Sequence, residues 1–213
     1  MSLERPPHCV LLPWAITAAL TLTLAACYEV KQLPAYAPKT HAIELNRQAL
    51  ESLEAGALEV ALERASAAVQ EDPDFDAAYL NKANILGKLQ RFAEAAQTLR
   101  ALLQRRPDNA QARVLLGLLI ERGGDALAAA PHYEQAVRLL EEYLAEQDKD
   151  VEAAVNRAVA VYLSQGKAQG FIAINKVLAK FPGYAPAQTV KKRMRDKSRD
   201  DFVRVVFEPD TPG

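Results

Sequence analysis

The sequence predicts an all-α fold in which antiparallel helix pairs stack into an array. Three observations carry this prediction: a 34-residue spacing between Pro73 and Pro107, an alanine-rich composition with only 9 glycines, and small residues at matching places in successive segments. A repeat of this length fits one helix–turn–helix unit. Because such a unit cannot bury its apolar face alone, neighbouring units must pack on one another. The formal net charge of −1 argues against a polybasic, nucleic-acid-binding protein.

The first 26 residues are typical of a secretory signal peptide. Arg5 and the terminal amine precede an apolar run from Cys9 to Leu24, and the small residues Ala25 and Ala26 follow. The run is near the lower length limit for crossing a bilayer, so an uncleaved membrane anchor is the alternative.

The stretch LTLAACYEV places Cys27 where the apolar run ends. Residues 24–27, Leu-Ala-Ala-Cys, resemble the lipobox of bacterial lipoproteins. This resemblance implies that Cys27 carries a diacylglyceryl group, becomes the first mature residue and is acylated again, for example with palmitate, which gives the several chains that stable anchoring needs. In enteric lipoproteins a residue other than aspartate after the cysteine permits transfer to the outer membrane, so Tyr28 implies an outer-membrane lipoprotein facing the periplasm. We expect residues 27–41 to form the lipidated cysteine and an extended tether.

Four repeat units follow, which we place at residues 42–75, 76–109, 110–150 and 151–184, with a C-terminal cap and tail over 185–213. The second unit shows the pattern best. Tyr79 is its large aromatic residue, Ala83 and Ala95 are small residues that let two helices approach closely, and Pro107 ends the second helix. This unit is similar to the tetratricopeptide repeat. The resemblance implies a right-handed superhelical solenoid whose first helices line a concave groove.

The third unit departs from the regular spacing. Pro182 lies 75 residues after Pro107, which is two 34-residue periods plus seven. The apolar pattern also continues through Tyr143 and Leu144, so we predict a second helix about two turns longer than in the other units. Pro131 falls among its early turns and predicts either a kink or a late start.

The C-terminal segment combines a basic run with an apolar one. A cap helix from Ala185 to about Arg199 is expected to carry the basic run, which would meet an anionic lipid or acidic partner, or would form a solvated face. Its members are Lys191, Lys192, Arg193, Arg195, Lys197 and Arg199. Residues 202–207, FVRVVF, have strand character and could add to a partner's sheet or fold back over the last repeat. We expect folding back, because an exposed apolar strand invites aggregation.

No catalytic motif stands out in the chain. His8, His41 and His132 are the histidines, and Cys27 would be consumed by lipid. The sequence contains no nucleophile elbow, phosphate-binding loop or His-Glu-x-x-His motif. We therefore expect no enzyme, no metal and no cofactor other than the covalent lipid.

Protein binding in the groove is what the resemblance implies instead. Such a surface suits an extended or helical peptide, so envelope proteins are the expected partners, and we expect neither nucleic acid nor a small-molecule substrate. The implied groove positions are Asn46, Leu50, Leu53, Leu80, Asn84, Lys88, Val114, Leu118, Arg122, Val155, Val159 and Tyr162. Some of them could instead only cover the tether or the C-terminal segment.

The carboxylate clamp of chaperone-binding tetratricopeptide proteins is not expected here. Asn46 and Asn81 fit its pattern, but Leu50, Gln111 and Leu115 do not.

Three roles stay open for a protein-binding chain of this kind. The first and preferred one is a membrane-anchored scaffold in the bacterial envelope. The second is an assembly factor similar to the pilotins and Tad-type pilus lipoproteins, acting on a secretin or pilus machine. The third is a structural subunit of an outer-membrane complex, with an interface around Tyr143 and Leu144.

Overall fold

A computed structural model describes residues 36–207 of the chain. The predicted signal peptide, Cys27 and most of the tether lie outside these residues. Ten helices form within the described part, all in the compact unit Pro38–Gly213. They are α1 (Thr40–Glu54), α2 (Leu58–Glu71), α3 (Asp76–Lys88), α4 (Phe92–Arg105), α5 (Ala110–Arg122), α6 (Ala126–Glu146), α7 (Val151–Gln165), α8 (Lys167–Lys180), α9 (Ala185–Asp196) and α10 (Arg199–Val205).

The helices pack as successive antiparallel pairs, α1 with α2, α3 with α4, α5 with α6 and α7 with α8, and each pair packs on the next. Alanines lie where the helices of a pair cross. Ala49, Ala61, Ala83 and Ala95 are all fully buried, as small residues at a close crossing should be. The all-α solenoid expected from the sequence is confirmed, with a core that follows the stack of pairs rather than a single centre.

The first helix begins slightly earlier than the predicted tether allows. Helix α1 starts at Thr40, and the preceding Lys39 is held by the end of α2. The Lys39 backbone N donates to Asp72 Oδ2 at 2.8 Å, and its Nζ donates to the Glu71 carbonyl at 2.7 Å. The extended segment predicted to reach residue 41 therefore ends before Thr40, because these bonds fix the chain against the first pair.

The long helix predicted in the third unit is present. Helix α6 has 21 residues, whereas the second helices α2, α4 and α8 have 14 each. The difference equals the seven extra residues between Pro107 and Pro182. Pro131 lies inside α6, which starts at Ala126, so the predicted late start is wrong. Because proline has no amide hydrogen, the backbone bond to the Leu127 carbonyl is missing at this early turn.

The C-terminal segment is helical, and the predicted strand at 202–207 is wrong. No strand occurs within residues 36–207. Helix α9 ends at Asp196, and Ser198 then caps α10 by accepting a hydrogen bond from the Asp201 backbone N at 3.1 Å. Phe202, Val203 and Phe207 are all buried, so the segment folds back onto the chain as expected. Among the described residues, no helix is long and apolar enough to cross a membrane.

Candidate functional site

Three first helices present one equivalent position each along the inner side of the stack. Gly87, Glu121 and Tyr162 each lie four residues after the small residue where their helix crosses its partner, which is Ala83, Gly117 or Ala158. Each belongs to the last turns of its helix, α3, α5 or α7. Because the three pairs share one geometry, these positions form a row that crosses the array, which we call the inner row.

Helix α10 and the residues after it cover the inner row. The Phe202 ring lies 4.9 Å from the Tyr162 ring, centroid to centroid. Arg199 forms an ion pair with Glu121. Phe207 lies against Gly87. Between Phe202 and Phe207 the segment therefore runs from the fourth repeat towards the second, opposite to the order of the repeats.

Glu121 is the polar centre of the inner row. Its side chain is only 7% exposed, and its carboxylate accepts a hydrogen bond from the Tyr133 hydroxyl at 2.8 Å. Arg199 donates to both carboxylate oxygens, and its Nη2 also donates to the Leu163 carbonyl at 3.0 Å. Burial and the bond to Glu121 raise the pKa of the Tyr133 hydroxyl. The Glu121 carboxylate thus lies in a nearly closed site that the Arg199 guanidinium completes.

An aromatic and cationic cluster closes the other end of the covered region. The Phe207 ring meets the Phe92 ring edge-on, with centroids 6.1 Å apart. The Arg122 guanidinium lies 5.3 Å from the Phe92 centroid, within the range of a cation–π contact. The buried Arg122 Nε finds no hydrogen-bond acceptor within residues 36–207.

The positions predicted to line the groove differ in exposure from one repeat to the next. Val114, Leu118, Val155 and Tyr162, in the third and fourth repeats, are buried, so they offer little free surface to a partner. For Tyr162 the cover is Phe202 of the chain itself. The sequence left open whether the C-terminal segment covers groove positions such as Tyr162, and it predicted a strand where Phe202 lies in a helix.

The groove positions of the first two repeats are more accessible. Leu50 is 37% exposed, and Leu53, Leu80, Asn84 and Lys88 are half-buried, as are Arg122 and Val159 further along. Asn46 is buried, and its Oδ1 accepts a hydrogen bond from Asn81 Nδ2 at 2.9 Å. The two asparagines of the incomplete carboxylate clamp thus bind each other. The open part of the groove combines apolar side chains with one amide and one ammonium group.

Two further surfaces were singled out by sequence. The basic run lies on α9 and just after it, where Lys192, Arg193, Arg195 and Lys197 are exposed and Arg195 pairs with Asp196. Arg199 does not belong to this face, because it turns inward to Glu121. On the extended α6, Tyr143 is 47% exposed and its hydroxyl donates to Asp150 Oδ2 at 3.0 Å. No group of three His, Cys, Asp or Glu side chains suited to a metal occurs within the described range.

Comparison with known proteins points to one repeat family. The family described as tetratricopeptide repeat matches residues 80–139 and 124–185. No curated protein matches the chain. Among solved structures, a tetratricopeptide repeat protein from Parabacteroides merdae is similar over 92% of this chain and 74% of its own length. Its identity is 17% and its TM-score is 0.50, so the likeness shows the fold.

Two other solved structures are more distant. MamA from Desulfovibrio magneticus shares 18% identity over 80% of this chain and 91% of its own, with a TM-score of 0.46. YrrB, described as a tetratricopeptide repeat protein with an unusual peptide-binding site, shares 20% identity over 79% of this chain and 87% of its own, with a TM-score of 0.43. At these scores neither structure bears on how this chain works.

Proposed function

We propose that this chain, a tetratricopeptide repeat protein by its repeats and its fold, is a membrane-anchored scaffold that binds envelope proteins through its groove. The observation that carries the proposal is the accessible apolar surface on α1 and α3. Leu50, Leu53 and Leu80 give this surface its apolar floor, while Asn84 and Lys88 can position a peptide backbone or an acidic side chain. Apolar side chains with a few polar groups are the usual design of a groove for an extended or helical peptide.

Binding accounts for this surface better than catalysis does. The groove brings together leucines, an amide and an ammonium group, which can hold a peptide but supply no nucleophile with an adjacent base. The polar cluster of Glu121, Tyr133 and Arg199 is already satisfied, because each of its members forms a hydrogen bond within the chain. Its role is therefore to hold a helix in place.

The anchor part of the proposal is supported by the lipobox-like residues 24–27 at the end of an apolar run. We expect lipid on Cys27, an outer-membrane location and a repeat domain that faces the periplasm. Fractionation of cells that express Cys27→Ala tests this, with Cys9→Ala as the matched control. The Cys27 variant should leave the membrane fraction, and the Cys9 variant should remain there. Equal retention of both variants in the membrane would contradict a lipid anchor on Cys27.

Two related roles differ from the scaffold in their partners. An assembly factor for a secretin or pilus would capture one dominant subunit, which would be mislocalised when Cys27 is replaced. A structural subunit would co-purify in stoichiometric amounts, through a broad surface such as the one around the exposed Tyr143. A scaffold should capture several partners more weakly.

Chemical cross-linking of intact cells followed by affinity capture distinguishes these roles. The scaffold predicts several envelope proteins, partly retained by the Cys27→Ala chain, because the groove selects them. A single secretin or pilus subunit lost with Cys27→Ala would indicate the assembly factor. Capture of no envelope protein by the wild-type chain would contradict all three roles.

A further inference from the structure

We infer that the segment Ser198–Phe207 occupies the place of a partner helix, and that the covered half of the groove recognises helices with one cation followed by two aromatic residues. This inference rests on the proposed function and names the class of partner for that same groove. Its starting point is the covered inner row, where Gly87, Glu121 and Tyr162 each meet one side chain of the segment.

Each contact defines one chemical requirement for the occupant. Glu121 is nearly closed off from solvent, so its carboxylate requires a cation, and a guanidinium can also reach the Leu163 carbonyl. Gly87 leaves room for a flat ring, because a Cβ atom there would come within 2.3 Å of Phe207 Cδ1. Tyr162 offers an aromatic face to a second ring. In the segment these three side chains are Arg199, Phe202 and Phe207, so they are separated by three and then five positions.

Beyond these contacts the segment also buries Val203, but its own helix is short. Helix α10 has only 7 residues, a length at which a helix is not stable by itself in water. Extended backbone at Lys197 and Ser198 joins it to α9. Asp200 and Arg204 are exposed, and Arg204 pairs with Asp201 within the segment. We therefore expect the segment to leave the groove without unfolding the helix pairs beneath it.

A partner helix could bind more extensively than the segment does. The segment runs towards the second repeat, and Leu53 is the equivalent of the inner row in the first repeat, four residues after Ala49. A longer partner segment that keeps the three contacts would continue onto Leu53 and Leu50, which are accessible. The partner needs these added contacts, because it must displace the chain's own segment. That segment is tethered and competes at an effective concentration in the millimolar range.

A binding experiment with a synthetic peptide tests the inference on the full-length Cys27→Ala chain. The probe is a fluorescein-labelled peptide of residues 198–207, SRDDFVRVVF, measured by fluorescence anisotropy. The receptor is the chain with Phe202→Ala and Phe207→Ala, whose own segment holds the groove less tightly. We expect the peptide to bind this opened chain at least about tenfold more tightly than the unaltered chain, since the competing contacts are lost.

Two peptide variants test the recognition chemistry. Replacing the arginine that corresponds to Arg199 with alanine should weaken binding by about tenfold or more, because the peptide then leaves Glu121 unpaired. Replacing the arginine that corresponds to Arg204, which is exposed in the segment, should change binding by less than about threefold. If the two variants bound alike, Glu121 would not select the cation and the inference would be wrong.

Folding of the opened chain is checked by its melting curve. If the double variant proves unstable, Arg199→Ala serves as the second opened chain, since it keeps both rings. A folded opened chain that fails to bind the peptide would overturn the inference. The inference would also be overturned if light scattering showed a wild-type dimer whose copies exchange this segment. The occupant of the groove would then be a second copy of the chain. Capture of envelope partners at the accessible Leu50 is a separate readout, so its loss would instead count against the proposed function.

Discussion

The Phe207 ring lies directly on the backbone of Gly87, so closely that a Cβ atom at residue 87 would lie 2.3 Å from Phe207 Cδ1. The two residues are 120 positions apart in the chain and join the end of α3 to the end of the described C-terminal segment. The contact requires glycine inside a helix, a position where alanine is normally preferred. The glycine is therefore explained by the ring that covers it.

Gly87→Ala should destabilise the wild-type chain but stabilise a chain that lacks the ring. With Phe207 present, the added methyl group displaces the ring, and we expect a loss of about 1–2 kcal/mol in the free energy of unfolding. In a Phe207→Ala background the same change should add up to about 1 kcal/mol, because alanine is the better helix former. Urea unfolding of the four chains in a double-mutant cycle measures the coupling between the two residues.

Gly117 provides the control for that cycle. A Cβ atom there would lie 2.5 Å from Tyr133 Cε1, so Gly117→Ala meets a ring of the repeat core and not the C-terminal segment. Its cost should be the same with and without Phe207. A Gly87→Ala cost that is likewise independent of Phe207 would show that the ring does not occupy this site in solution.

Arg199→Ala should destabilise the chain through Glu121. Within residues 36–207, the substitution leaves a nearly buried carboxylate whose remaining hydrogen-bond partner is the Tyr133 hydroxyl. We expect this to cost about 1–2 kcal/mol after allowance for the partial exposure of Arg199. Arg193→Ala, which removes an exposed arginine of α9, should leave the melting temperature nearly unchanged. Differential scanning calorimetry of the two variants makes the comparison, and equal melting temperatures would contradict the role of Glu121.

Ala95→Leu should disrupt the second repeat. Ala95 is fully buried where α4 crosses α3, and a leucine there forces the two helices apart at a cost of about 1–3 kcal/mol. Ala101→Leu, at an exposed position of the same helix, is the matched control and should be tolerated. Thermal unfolding followed by circular dichroism measures both. An unchanged melting temperature for Ala95→Leu would mean that the helix register described for this repeat is wrong.

His132 should make the chain less stable in mild acid. Burial lowers the pKa of His132 below its usual 6.5, and the charges of Arg113 and Arg100 lower it further. The folded state therefore binds the proton less readily than the unfolded state. The stability present above pH 6.5 is lost as the pH falls from there through the folded pKa.

His132→Gln should reduce that pH dependence. Between about pH 7.5 and pH 5.5, the melting temperature of the variant should fall less than that of the wild type. His41→Gln, near the exposed start of α1, controls for the change of side chain. Identical pH dependence in the wild type and the His132 variant would contradict the assignment.

The repeats could be predicted because their signals are local and recur at a fixed period. Pro73 and Pro107 set the period, and buried alanines such as Ala83 and Ala95 marked the crossings. The seven residues added to α6 were also visible, because a surplus between Pro107 and Pro182 must be placed in one helix or loop. These inferences need no knowledge of which residues meet across the array.

The covered half of the groove could not be predicted, because it depends on contacts far apart in the chain. Residues 202–207 are apolar and β-branched, and a short run of this kind does not distinguish a strand from a buried helix. Ser198 and the aspartates that follow it favour a helix start, and this was the available signal. The meeting of Arg199 with Glu121, 78 residues apart, had no counterpart in the sequence pattern.

Site-specific photo-cross-linking in cells tests most directly whether the groove binds envelope proteins. A photoreactive amino acid replaces Leu50 in the groove or, as the control, Val60 on the paired helix α2. The two side chains are exposed to a similar degree, at 37% and 45%. We predict that envelope proteins are captured through residue 50 and not through residue 60. Equal capture at both positions, or capture through residue 60 alone, would contradict binding in the groove.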